Sequence, residues 1–368
     1  MENEDLIPND ANQENIQPDD YLDSSSIEPT STPPINLEKT EDDVNDRWRQ
    51  NKLDVTPLTT VVEKVRGELA KVIIGQDDMI ELMITAMFSG GHVLLEGVPG
   101  IAKTLSAKLL AKSVAVAFNR IQFTPDLMPT DVVGTTIYNL KTSDFTFTPG
   151  PIFSNIVLID EINRAPAKTQ SALFEVMEEF QVTVDGKTYP MEFPFFVLAT
   201  QNPIEQEGTY KLPEAQLDRF LFKINLSYPN LDEEKQILKR FRKDFKVVKA
   251  ETIEAVCTAE DIRTCQKIVE QVFCKDELLD YIAEIIHNTR NNGDLFLGAS
   301  PRASLAIMRS SKAMAAINGR DFVTPDDIQS VAYPVLNHRI ILTPEREMEG
   351  FTTKEVIEMI VKKIEVPR

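Results

Sequence analysis

An α/β fold built on a parallel sheet, with a separate helical region behind it, is the architecture this 368-residue sequence predicts. Three observations carry that expectation. Between residues 93 and 226 short apolar runs alternate with segments of helical period, as strands covered on both faces require. The stretch Gly97-Val98-Pro99-Gly100-Ile101-Ala102-Lys103-Thr104 separates the first apolar run from a helix pattern, the strand–turn–helix order of a phosphate-binding loop. Past Tyr228-Pro229 the strand signals stop and helical period takes over.

The elements follow in order. Residues 1–55 form an acidic N-terminal tail rich in Asn, Asp, Glu, Ser and Pro; they offer too little apolar surface to offset the entropy of ordering, so a disordered segment is expected, solubilising or docking in role. From about Leu58 an amphipathic helix carries Val61, Val62, Val65 and Leu69, and after Ile73-Ile74-Gly75-Gln76 a second carries Ile80, Met83, Ile84 and Met87. Those apolar residues suit either core packing or an adenine pocket. Strands are expected at 93–95, 120–123, 156–160, 195–200 and 221–226, and helices at 105–117 and 169–180. Two inserts interrupt the alternation. Residues 124–153 lack helical period and read as a β-hairpin, and Asp185-Gly186 between alternating residues marks a tight hairpin over 181–191. The core then spans 56–228 and a helical domain 229–368, with helix starts at Asp232-Glu233-Glu234, Ser300-Pro301 and Thr324-Pro325.

Chemistry-bearing residues fall just past strand ends, where open parallel sheets bind ligands. Gly97 and Gly100 let successive N–H groups converge on phosphate oxygens. Lys103 can reach the β- and γ-phosphates, and the Thr104 hydroxyl can take one place on Mg²⁺. Glycine is the usual residue before such a lysine, so Ala102 is expected to fit only with a right-handed backbone. The run Ile156–Asp160 ends in a carboxylate able to support a metal, and Glu161 beside it can orient and polarise water. Asn202, past the fourth strand, can bond the water or the γ-phosphate. Arg219 and Arg302 each present a fixed fork of donors for phosphate charge, or an ordinary surface ion pair.

Composition excludes several classes. The formal charge is −19, and residues 1–50 alone carry 14 Asp/Glu against 3 Lys/Arg. An acidic chain without a recognisable DNA-binding motif argues against nucleic acid as the main partner. No apolar run has the length of a membrane span, and the acidic start is unlike a signal peptide, so a cytoplasmic protein is expected. Cys257, Cys265 and Cys274 lie in helix-like sequence without metal-binding spacing and read as free thiols. His92, His287 and His338 are scattered.

The ordered set GVPGIAKT, FTPDLMPTDVVG, GPIFSNIVLIDEINRAPAKTQSALFEVMEE, ATQNPIEQEGTYKLPEAQLDRF and SPRAS resembles the MoxR family of AAA+ ATPases over about residues 58–365. The resemblance implies an AAA+ P-loop fold with a five-stranded parallel sheet, β-hairpin inserts facing a pore and a C-terminal helical lid. It implies ATP and Mg²⁺ bound by the loop, Thr104 and Asp160, with Glu161 activating water. It makes Asn202 a first sensor, Arg302 a second sensor for its own subunit's nucleotide, and Arg219 a finger reaching a neighbour's site in a ring, usually a hexamer. An alanine before the lysine is common in that family. Its members act as chaperone-like remodelling motors, often inserting metal cofactors or assembling complexes with von Willebrand factor A-type proteins. A magnesium-chelatase-type motor subunit and a nucleotide-gated scaffold with little turnover are the alternatives.

Overall fold

A computed structural model describes residues 52–98, 100–141, 143–203, 208–242 and 253–367. The expected acidic tail lies almost wholly outside the described residues. The chain begins with α1 (Thr56–Ala70) and α2 (Asp77–Phe88), then β1 (His92–Gly97), α3 (Lys103–Ser113) and β2 (Phe118–Gln122). The first insert holds α4 (Pro129–Val133), β3 (Gly134–Asn139) and β4 (Asp144–Pro149). Next come β5 (Ile156–Asp160), α5 (Ala167–Glu179), the hairpin β6 (Gln181–Val184) and β7 (Lys187–Pro190), β8 (Phe196–Gln201), α6 (Glu214–Leu217) and β9 (Phe220–Leu226). The helical part comprises α7 (Leu231–Phe241), α8 (Ala259–Gln271), α9 (Asp276–Arg290), β10 (Leu295–Leu297), α10 (Pro301–Ile317), α11 (Pro325–Leu336), β11 (Ile341–Leu342), α12 (Pro344–Met348) and α13 (Thr353–Lys363).

The central sheet is five-stranded and parallel, in the order β2-β5-β8-β1-β9. Its inner strands β5, β8 and β1 are apolar on both faces because both are covered. Val93, Leu95, Ile156, Leu158 and Leu198 pack into one cluster with α1, α2, α3 and the helices after residue 259. Leu94, Val157, Ile159, Val197 and Ala199 pack into the other with α5. Alternate residues of one strand therefore feed different cores, as the pleat demands. Ile80, Met83, Ile84 and Met87 are all buried in the first cluster, so of the two readings left open for them the structure takes core packing.

Two expectations are corrected and one helix is added. The helix foreseen over 105–117 ends at Ser113, because Val114 turns extended (φ −108°, ψ 131°) and Ala115 donates to the Cys257 carbonyl at 2.7 Å. The first insert is not a hairpin throughout: α4 precedes β3–β4, and Gly134 and Gly150 pinch its base where any Cβ would overlap the opposing backbone. The helix α8, not among the expected helix starts, is opened by a Thr258–Asp261 capping box, a start signal that the sequence carries. The second hairpin stands as expected, with Asp185 (φ 50°) and Gly186 (φ 76°) both left-handed, the geometry of a two-residue turn. None of the described helices is long and apolar enough to cross a membrane.

Candidate active site

The carboxyl ends of β5, β8 and β1 lie side by side in the sheet, which brings together residues distant in sequence. Gly97 closes β1 where a Cβ would press on the tip of Ile101 and crowd the Leu226 carbonyl, so a side chain there would require Ile101 to move. Gly100 has φ +87° and open space around it. Val98 is half-buried and Ile101 buried; Pro99 lies outside the described residues. Ala102 is left-handed (φ 63°, ψ 18°). The expectation of a right-handed backbone there is wrong. The loop needs the glycine-like conformation, and alanine adopts it at a cost of roughly 1–2 kcal/mol.

At the start of α3 the Lys103 ammonium donates to the Gly97 carbonyl (2.5 Å) and the Gln201 carbonyl (3.0 Å), bridging the ends of β1 and β8. Thr104 donates its hydroxyl to Asp160 Oδ1 at 3.0 Å. Asp160 is buried and also accepts from Thr200 Oγ1 (3.1 Å) and from Arg120 Nε (2.5 Å). Glu161 is left-handed (φ 57°, ψ 52°), a strained conformation for a non-glycine residue. Gln122 Nε2 and Arg164 Nε each hold its Oε2 at 2.9 Å. Asn202 is buried just past β8. Sequence reasoning missed Arg120, Gln122, Arg164 and Thr200. Of these only Thr200, inside the strand-end run ATQN, carried a positional signal.

The two remaining residues stand elsewhere. Arg219 immediately precedes β9, whose first residue Phe220 pairs with His92 at the amino end of β1. It is therefore at the sheet edge opposite the loop. Arg302, in the first turn of α10, meets it there: Glu178 of α5 pairs with Arg219 through one oxygen and with Arg302 through the other. The structure thus brings Arg302 to Arg219, at the end of the sheet where Phe220 pairs with His92. Both arginines line a cavity of about 400 Å³ with Arg309 and Arg339. Asp218 there accepts from Arg339 Nε (2.6 Å) and from Ser300 Oγ (2.9 Å). His92, on the same wall, is buried, and desolvation lowers its pKa to about 4. It stays neutral beside these guanidinium groups.

An ammonium, a hydroxyl, two carboxylates and an amide at one edge make a donor and acceptor set for a metal-bound polyphosphate. At the other edge a cavity with more guanidinium than carboxylate suits an anion.

Two family descriptions match the chain: an ATPase family associated with various cellular activities (AAA) over residues 92–222, and an AAA lid domain over residues 287–360. "Chaperone MoxR1" of Mycobacterium tuberculosis is 43% identical over 316 residues, covering 83% of this chain and 82% of its own. "Protein MoxR" of Methylorubrum extorquens is 30% identical over 318 residues, covering 80% of this chain and 91% of its own. A crystal structure of a Cytophaga hutchinsonii protein is similar with a TM-score of 0.78 at 42% identity, covering 88% of this chain and 99% of that one.

Proposed function

The chain belongs to the MoxR family of AAA+ ATPases, and on that footing we propose that it hydrolyses ATP with Mg²⁺ at sites completed by a neighbouring copy in a ring, most simply a hexamer. One observation carries this reading. Residues suited to hold and cleave a nucleotide stand at one edge of the sheet, and the paired Arg219 and Arg302 stand at the other. A single chain cannot bring the two edges together. Head-to-tail copies can, and heterologous contacts of that kind form a ring when the rotation between copies closes.

Within each copy we assign residues 56–228 to nucleotide binding and 229–368 to the lid. The loop from Gly97 to Ala102 would wrap the phosphates with its backbone N–H groups. The Lys103 ammonium would turn from its two carbonyl partners toward the β- and γ-phosphates. Thr104 and Asp160 fit a magnesium site: they are hard oxygen donors 3.0 Å apart. No group of three or more His, Cys, Asp or Glu able to hold a metal occurs among the described residues, which matches an ion held largely by phosphate and water. When bound, Mg²⁺ supplies positive charge against the phosphate oxygens. Glu161, steadied through one oxygen by Gln122 and Arg164, would accept the proton of the attacking water with the other. The Asn202 amide would orient that water or the γ-phosphate. Arg219 and Arg302 of the neighbour would offset the charge that develops, so loss of the phosphate would loosen the contact between copies.

A chaperone-like remodelling role, in complex assembly or metal-cofactor insertion, follows from such a cycle, with von Willebrand factor A-type proteins as the partner class. The first insert supports a client-facing surface, since Ile137, Tyr138, Leu140 and Phe145 of its hairpin region are exposed. The three free cysteines suit the reducing cytoplasm, where we place the activity.

The test is ATP hydrolysis against protein concentration for wild type, Glu161→Gln and Arg219→Ala. Specific activity should rise with concentration as rings form, both variants should lose at least a hundredfold in kcat, and Glu161→Gln should poison the wild type when mixed. Activity that is independent of concentration and indifferent to Arg219 would sink the ring; ATP binding without turnover would favour a scaffold.

A further inference from the structure

The cavity at the Arg219 edge contains a charge imbalance that the residues themselves make visible. Four arginines line it, Arg219, Arg302, Arg309 and Arg339, against two carboxylates, Glu178 and Asp218. Asp218 is committed to the lid, through Arg339 Nε and Ser300 Oγ. That leaves Glu178 alone to face the two arginines assigned above to a neighbour's phosphate.

Its geometry is specific. Glu178 and Phe174 stand one turn apart on α5, and both receive Arg219 Nη1: Glu178 through Oε2, Phe174 through its carbonyl at 2.7 Å. The other Glu178 oxygen takes Arg302 Nη2, from the lid. A single carboxylate therefore joins a guanidinium of the core to one of the lid. A second side-chain bond ties core to lid beside it, because Asp218 precedes Arg219 and its partner Ser300 lies two residues before Arg302. Two arginines this close repel one another, and removal of the shared anion would splay them apart. Yet Glu178 does not exhaust them. Arg219 Nε is buried without a hydrogen-bond partner among the described residues, and guanidinium carries five N–H donors.

We propose that Glu178 is a positioning residue: it holds Arg219 and Arg302 as one preorganised pair whose remaining donors meet the terminal phosphate of a nucleotide on the neighbouring copy. This rests on the ring reading above. Glu178 touches no nucleotide itself. It fixes where the two charges stand before the phosphate arrives, so its effect falls on the chemical step rather than on ATP capture, which belongs to Lys103 and the loop of the other copy.

The experiment uses the full chain at concentrations where specific activity has levelled off. kcat and KM for ATP with Mg²⁺ are measured for wild type, Glu178→Gln, Arg302→Ala and the double variant, with Tm for each. Glutamine keeps the shape and removes the charge. We expect Glu178→Gln to lower kcat about tenfold or more with KM changed less than about twofold and Tm within about 2 °C of wild type. In the Arg302→Ala background the same change should cost less than about twofold, since the pair it organises is already broken. Wild-type kcat in Glu178→Gln overturns the proposal, as does a kcat above wild type, which would make Glu178 a mask. Losses that multiply in the double variant also overturn it. Arg219→Ala separates the two levels: if that variant keeps full, concentration-independent activity, the ring reading itself has failed. If Arg219→Ala is dead while Glu178→Gln is unaffected, only the positioning role has.

Discussion

The left-handed Ala102 shows the loop's backbone asking for a residue other than the one present. Its φ of 63° is where glycine sits at no steric cost, whereas alanine loses roughly 1–2 kcal/mol to contact between its Cβ and the carbonyl. Glycine would relieve that strain, offset by roughly 0.4–1 kcal/mol of extra freedom in the unfolded chain. We expect Ala102→Gly to raise Tm by about 2 °C, read by differential scanning calorimetry without nucleotide; a fall in Tm would mean that the Cβ makes contacts worth more than the strain. At this scale the strand-end residues were legible because position alone marks them: Asp160 closes an apolar run, and Lys103 follows a glycine turn. Arg120 and Glu178 were not. Each acts through a partner far along the chain, Asp160 for one, Arg219 and Arg302 for the other. Nothing local distinguishes them from solvent-facing charges.

Among elements, β9 poses the problem of an edge strand, with carbonyls that need partners. Side chains of the segment after α11 answer it. Asn337 Nδ2 donates to the Lys223 carbonyl at 2.8 Å, and Arg339 donates to the carbonyls of Asp218, Phe220 and Leu221 at 2.7–3.1 Å. The Arg339 guanidinium is almost fully buried, and Asp218 supplies its counter-charge at 2.6 Å. Breaking one side of a buried pair leaves an unpaired charge and several orphaned carbonyls, a cost of about 3–5 kcal/mol. Arg339→Met should therefore lower the urea midpoint by that equivalent and loosen the lid from β9; a loss below about 1 kcal/mol would show that solvent replaces the bonds freely. The inner strands β1, β5 and β8 were legible in sequence, since a strand buried on both faces announces itself as an apolar run; the edge strand β2, with Ile121 alone buried, was marked more weakly. The short pair β10–β11 was not legible, because Leu295–Leu297 and Ile341–Leu342 meet only through the packing of the helices between them. Nor was α4, whose five residues are too few to establish a period.

For the whole molecule, two buried rings must stay neutral, His92 inside the core and His338 where the lid meets β9, and this makes acid a destabilising condition. His92 accepts from the Val197 N–H at Nδ1 and donates from Nε2 to the Met177 carbonyl, tying β1 to β8 and α5. That arrangement uses one acceptor and one donor, so it admits only the neutral ring; a second proton would set N–H against N–H. Burial lowers its pKa from 6.5 to about 4. His338, between the Phe220 carbonyl and the Asn337 side chain, is likewise held well below 6.5, by burial and then by the charge of Arg339. The unfolded chain takes up these protons near pH 6.5 and the folded chain does not, so stability is complete above that pH and falls as pH drops toward 4. For His92 alone the loss between pH 7 and pH 5 is about 2 kcal/mol, and His338 adds to it with the same sign. The carboxylates held low by their caps, Asp261 and Glu355 among them, act in the same direction but only below about pH 4. Urea unfolding at pH 7 and pH 5 should therefore show a marked loss, and His92→Gln should abolish about 2 kcal/mol of it while lowering stability at pH 7. Stability that holds or rises between those two pH values would mean that the rings are reached by water and carry no such penalty. The same protons would enter at the base of β1 and at the lid's hold on β9, beside Arg219.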